Sequence, residues 1–156
     1  MMQKNVSIEM ASAPFDPHTA LRAFTERFPE AGAIASFIGQ VRGERGEVDA
    51  LILDHYAGVT ESEIAKIAEE ALSRWPLFGL AITHRVGEIA PGEPIVFVAA
   101  ASKGRRAAFQ AVDFLMDYLK SEAPFWKKES RGGQTQWIEP RAEDFEDKAR
   151  WNAQEE

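Results

Sequence analysis

The sequence predicts an α+β fold, on three observations. Short segments of alternating apolar and polar residues recur along the chain, as at Val6, Ile8 and Met10. Apolar stripes at helical spacing lie between them. One continuous apolar run, Ile95 to Ala101, has the character of a buried central strand. The same alternation of strands and helices would also permit a parallel α/β sheet.

Asn5 to Met10 reads as a short strand. Asp16 is an N-cap with proline at the first helical position. Leu21, Phe24 and Phe28 follow at helical spacing, and Pro29 closes the segment. Ala33 to Val41 reads as a strand running into Arg42. Gly43 to Asp49 is polar, carries two glycines and is expected to be a mobile loop. In Ala50 to Tyr56, Leu51, Leu53 and His55 share one face, and Ile52, Asp54 and Tyr56 the other. Thr60 and Glu63 have capping-box spacing. Ile64, Ile67, Ala68, Ala71, Leu72 and Trp75 form the stripe of the helix that follows, and Pro76 ends it. Leu80, Ile82, His84 and Val86 alternate as a strand, and Ala90 to Pro94 is a turn. A third long helix covers Arg105 to Lys120, with Phe109, Val112, Met116 and Leu119 as its buried stripe. Thr135 to Glu139 is a short strand, and Arg141 to Trp151 a charged peripheral helix. No repeat, linker or low-complexity segment divides the chain, so residues 1–156 are expected to form one domain.

Apolar residues make up 45% of the chain, which suits a packed core rather than disorder. No apolar run reaches the length of a bilayer span and the N-terminus lacks a signal-peptide pattern, so a cytoplasmic location is expected and no membrane partner. The net charge of −7 argues against a nucleic-acid partner. The cations are bunched instead, as Lys103, Arg105 and Arg106 in one place and Lys127 and Lys128 in another. Local clusters in an acidic protein suit a small anionic ligand. Cysteine is absent, which excludes disulfides, thiolate metal sites and a cysteine nucleophile. If the chemistry involves sulfur, another molecule must bring it. His18, His55 and His84 show no metal-ligand spacing, so no metal and no resident cofactor are expected.

The chain is organised around Met116 to Glu129. A helix runs into this stretch and stops near Pro124, with Lys120 before the stop and Lys127 after it, on either side of Phe125 and Trp126. An apolar wall and a neighbouring positive charge both favour a neutral amine, which suits acid–base or nucleophilic work. The bland alternatives are helix-dipole support or an ion pair with Asp117 for Lys120, and a snorkelling surface lysine for Lys127 or Lys128. Lys103-Gly104-Arg105-Arg106 stands where the buried strand gives way to a helix. Three cations at a helix N-terminus are unfavourable unless an anion binds there. Arg42, at a strand end, could clamp a phosphate; its bland reading is an exposed terminal charge.

Taken together, these stretches resemble the catalytic (large) subunit of molybdopterin synthase. The resemblance spans about residues 33–151. It is carried by Phe37-Ile38-Gly39-Gln40-Val41-Arg42, Leu53-Asp54-His55-Tyr56, His84-Arg85-Val86-Gly87-Glu88, Arg105 to Phe109, Met116-Asp117-Tyr118-Leu119-Lys120 and Ala123-Pro124-Phe125-Trp126-Lys127-Lys128-Glu129. It implies an α/β hammerhead with an additional antiparallel β-subdomain, assembled as a homodimer within a heterotetramer. The implied reaction moves sulfur from a small ubiquitin-like subunit, carrying a C-terminal Gly-Gly thiocarboxylate, to cyclic pyranopterin monophosphate. The product is the dithiolene of molybdopterin. Lys120 and Lys127 match the family's active-site lysines, and Arg42 and Arg105 match positions that handle the pterin. Lys103, Arg106 and Lys128 join them as candidate substrate-binding cations. The family commonly carries histidine where this chain has Gly104. A rival reading is a non-catalytic docking module for a ubiquitin-like protein tail. A Schiff-base lysine enzyme acting on phosphorylated carbonyl compounds is a third.

One geometric expectation follows from helix rise. Fifteen steps separate Arg105 from Lys120, roughly 22 Å along one helix. A single small pterin cannot span that, so a site using both must be shared between two subunits.

Overall fold

The computed structural model describes residues 5–42, 49–123, 125–132, 134–138 and 142–152, with backbone alone at 126, 138 and 142–144. Among the described residues, two four-stranded sheets and four helices form a mixed α+β arrangement. The first sheet has the order β1-β4-β6-β2, from β1 (Val6–Ala11), β4 (Leu77–Arg85), β6 (Pro94–Ser102) and β2 (Ala33–Gln40). β1 runs parallel to β4; the β4–β6 and β6–β2 pairs are antiparallel. The second sheet, wholly antiparallel, has the order β5-β3-β7-β8, from β5 (Gly87–Ile89), β3 (Ala50–His55), β7 (Phe125–Arg131) and β8 (Gln134–Ile138).

Helices cover both faces of the first sheet, and strand periodicity divides its residues between them. Ala81, Phe97, Ala99 and Ala101 meet Phe24 and Phe28 from α1 (Pro17–Arg27) and its C-cap. Leu80, Ile82, Val96, Val98 and Ala100 meet α2 (Val59–Arg74) and α3 (Arg105–Ser121). The continuous apolar run of β6 thus follows from burial on two sides. For the same reason β4 departs from the half-buried strand predicted by its alternation: every residue from Gly79 to Arg85 is buried. Close packing reaches the backbone at Gly79, where a Cβ would stand 2.3 Å from Phe28 Cζ and 2.7 Å from the carbonyl oxygen of Asn5.

Asp16 caps α1 as predicted, its Oδ1 accepting from His18 N at 2.9 Å. The start of α2 differs from expectation. Gly58, with φ +85°, turns the chain two residues earlier, and its N–H donates to Glu61 Oε2. Thr60 Oγ1 instead accepts from Tyr56 N at 3.0 Å, and Glu63 pairs with Lys66. In α3 the buried face is Ala108, Ala111, Val112, Phe114, Leu115 and Leu119, together with Asp117. Phe109, predicted to be buried, is 64% exposed. α3 meets both the sheet and α2, so its buried arc is wider than the predicted stripe and displaced from Phe109.

Three further differences lie outside the first sheet. The stretch after α3 is strand β7, central in the second sheet, where the sequence reading had no strand. Gly87–Ile89, which the sequence reading assigned to no element, is likewise a strand. α4 (Ala142–Ala149) exposes Phe145, Glu146 and Asp147, in keeping with a peripheral helix, but the segment ends on a buried residue. Trp151 is 3% exposed and meets Trp75 and Phe114 edge-on, with centroids 5.6 and 5.5 Å away. The predicted loop at 43–48, Pro124 and Glu139 lie outside the described residues. Among the described residues no helix is long and apolar enough to cross a membrane.

Candidate active site

Topology sorts the predicted cations into two groups at opposite ends of the first sheet. β6 ends at Ser102; Lys103 follows, Gly104 caps α3, and Arg105 and Arg106 are its first two residues. All three cations are exposed. α3 then returns along β6 and β2, carrying Lys120 to its other end. There β7 begins, and Phe125 stacks on His84, whose register partner Val96 lies near the start of β6. Arg42 belongs to this second end as well. It follows Val41, which accepts from Gly92 N at 2.8 Å and donates to the carbonyl oxygen of Glu93 at 3.0 Å. Val41 packs with Leu53 and Ile89, and Leu53 is the cross-strand partner of Lys127. One end of the chain therefore gathers Arg42, Lys120 and Lys127. The other carries Lys103, Arg105 and Arg106, about 22 Å away along α3.

Strand alternation separates Lys127 from Lys128. Lys127 shares its face of the second sheet with Phe125, Leu53 and His55. Lys128 belongs to the other face, its Nζ 4.1 Å from the ring centroid of Trp137. That cation–π contact accounts for Lys128 as part of the sheet's outer surface. Lys120 is the penultimate residue of α3 and is exposed. Its predicted bland partner, Asp117, is engaged elsewhere: Asp117 Oδ2 accepts from Arg150 Nη2 at 2.7 Å and Trp151 Nε1 at 2.6 Å. Lys120 makes no ion pair with any described residue.

The aromatic wall is built from a histidine that the sequence placed only as a structural strand residue. His84 and Phe125 stack with centroids 4.0 Å apart and planes 17° apart. His84 Nδ1 donates to the carbonyl oxygen of Arg85 at 2.9 Å, which leaves Nε2 as an unprotonated acceptor in the neutral ring. Burial chiefly lowers the His84 pKa to about 4; the bond to Arg85 O opposes this, and the charges of Lys127 and His55 add to it. The imidazole is thus neutral at pH 7 and sits beside Lys127 without repelling it. His55 is satisfied by Glu61, with Nε2 3.2 Å from Oε1.

This histidine makes a prediction about stability. Its folded pKa lies below the unfolded value, so the unfolded chain binds the extra proton first. The contribution is complete above pH 6.5 and is lost as pH falls toward 4, where the loss reaches about 3 kcal/mol. Urea unfolding at pH 7 and pH 4 should show this loss in the natural chain and a smaller one in His84→Gln. An equal loss in both would contradict it.

Gly104, at the basic end, takes an extended φ of −128°, and a Cβ there would meet nothing within 4 Å. Arg85 is 3% exposed; its guanidinium donates to the carbonyl oxygens of Val86 and Glu88 at 2.5 and 2.7 Å, while Nε has no partner. It fastens β4 to β5. Among the described residues no three His, Asp or Glu side chains converge as a metal site would need.

The chain is similar to known proteins over most of its length. The family model described as MoaE protein matches residues 10–122. A molybdopterin synthase catalytic subunit from Mesorhizobium japonicum is 47% identical over 152 residues, covering 96% of both chains. One from Caulobacter vibrioides is 50% identical over 145 residues, covering 93% of this chain and 97% of its own. Among solved structures, the molybdopterin biosynthesis MoaE protein from Burkholderia ambifaria superposes with a TM-score of 0.82 at 43% identity, covering 94% of this chain and 98% of that one. The likeness starts well before residue 33, where the sequence resemblance began, so β1 and α1 are part of the shared fold. The chain belongs to the MoaE protein family, the catalytic subunits of molybdopterin synthase, and is an enzyme.

Proposed function

We propose that this chain transfers sulfur from the C-terminal thiocarboxylate of a small ubiquitin-like subunit, ending in Gly-Gly, to cyclic pyranopterin monophosphate, forming the dithiolene of molybdopterin. The observation that carries the reading is Lys120 and Lys127 at one end of the fold, the end where Phe125 stacks on His84. Lys120, lacking a carboxylate partner among the described residues, moves protons and contacts the incoming tail. Lys127, held in mid-sheet by β3 and β8, orients substrate and stabilises developing negative charge. Arg42 supplies a cation at the same end. A chain without cysteine suits this chemistry, since the sulfur arrives on the partner. The full assembly would be a homodimer within a heterotetramer, in the cytoplasm. Each chain would be one domain of the hammerhead type, with the second sheet as its antiparallel addition.

The pterin's anionic groups call for Lys103, Arg105 and Arg106, which lie too far from Lys120 within one chain. The shared-site reading follows: the basic end of one protomer faces the lysine end of its partner. Lys128, over Trp137, contributes to the local positive field. Mixing an Arg105→Ala chain with a Lys120→Ala chain should restore part of the activity that each homodimer lacks. Mixed dimers without restored activity would count against a shared site. The direct assay supplies thiocarboxylated small subunit and cyclic pterin and follows dithiolene formation. Partner binding without product would favour the docking-module reading, for which Gly104 at the basic end is the supporting feature.

A further inference from the structure

Three acidic groups of α3 and its C-cap, on either side of Lys120, are engaged by the C-terminal segment. α3 carries Asp113 and Asp117, and Glu122 is its C-cap. Arg150 Nη2 lies 2.8 Å from Asp113 Oδ2 and 2.7 Å from Asp117 Oδ2, and Arg150 Nε donates to the latter at 3.2 Å. Trp151 Nε1 donates to the same oxygen. Lys148 pairs with Glu122, its Nζ 5.9 Å from the Tyr118 ring centroid. Lys120 stands three residues after Asp117, the order in which an acid and a lysine on one helix attract. Left to themselves the two would pair. A guanidinium presents several donors in a fixed fork and competes well for a carboxylate against a mobile ammonium.

We infer that Arg150 is a positioning residue for the reaction: by holding Asp117 and Asp113 toward the C-terminal segment, it denies Lys120 an internal counter-ion and keeps its amine for anionic donor and substrate. This rests on Lys120 being the reacting amine. The Asp117 side chain is only 12% exposed, so it cannot exchange Arg150 for water freely. With Arg150 removed, Trp151 Nε1 is a single neutral donor, Lys148 is occupied by Glu122, and Lys120 is the cation within reach on the same helix.

The test reads Lys120 itself. The full-length chain is treated with limiting acetic anhydride at pH 8, and acetylation of Lys120 is followed by peptide mass spectrometry. An ammonium held by a carboxylate acylates more slowly, so Arg150→Ala should slow Lys120 by about threefold, the size of a modest ion pair. Arg150→Lys should restore most of the rate. Arg150→Ala combined with Asp117→Asn should label as fast as the natural chain, because Asp117 is the acid one turn from Lys120, whereas Asp113 stands about 10 Å back along the helix. In the synthase assay kcat should fall in parallel, with KM for the small subunit unchanged. Lys120 labelling at the natural rate in Arg150→Ala, or equally slow labelling in the double variant, would overturn the inference. Labelling needs neither partner nor pterin, so failure there is a failure of the contact. Slower labelling with unchanged kcat would overturn the positioning role by removing Lys120 from the chemistry, and would count against the proposed reaction as well.

Discussion

Lys120→Ala is expected to lower synthase turnover by about a thousandfold, and Lys127→Ala by a similar factor. Positioned acid–base groups contribute on the order of 10²–10⁴ in rate, and a preorganised charge-stabilising donor about 10²–10³. Neither change should unfold the protein. Lys120 is exposed in the last turn of α3, so its removal costs only a favourable helix-dipole contact, about 0.5 kcal/mol. Lys127 is also exposed, and its strand is held by backbone pairing to β3 and β8. The measurement is single-turnover dithiolene formation alongside thermal unfolding. Natural rates in both variants would remove the proposed chemistry; lost activity with a lowered Tm would point to folding instead.

The largest effect on stability is expected far from the lysines in sequence. Trp151→Ala should cost about 3–5 kcal/mol, the range for deleting a large buried aromatic. The indole fills the space between Trp75 and Phe114 and donates to Asp117 at 2.6 Å. Its loss leaves a cavity and removes one donor from a largely buried carboxylate. For a chain of this size the cost corresponds to a fall in Tm of roughly 10 °C or more. Trp151→Phe should recover part of the packing and none of the hydrogen bond. A Tm within 2 °C of the natural value for Trp151→Ala would show that the C-terminal segment does not brace the core.

Most of the fold was legible because burial leaves a simple trace in the first sheet. A nine-residue strand with Pro94 at its start and Val96, Phe97 and Val98 within it has few alternatives, and helix punctuation at Asp16-Pro17 and Pro76 was equally local. The second sheet was harder. β7 reads Phe-Trp-Lys-Lys-Glu-Ser-Arg, with too few apolar residues to announce a strand, and it is defined by its two neighbours instead. Its lysines stood out as residues, but their opposite faces depend on pairing partners far along the chain. The same limit hid the Asp117–Arg150 contact, which joins residues 33 positions apart. Asp117 and Lys120 are visible as neighbours in sequence; that the acid turns away from the lysine is a tertiary fact. His84 was visible as a strand residue, and its stack on Phe125 arises where the two sheets meet.

The length of α3 sets more than the packing of the main sheet. Its seventeen residues act as a spacer with a cationic tip and an amine tip, and in the proposed paired assembly that length would set how far apart the two shared sites stand. Adding one residue would lengthen the rod by about 1.5 Å and swing everything beyond it through roughly 100°. Both tips could then remain chemically intact while no longer addressing the same molecule.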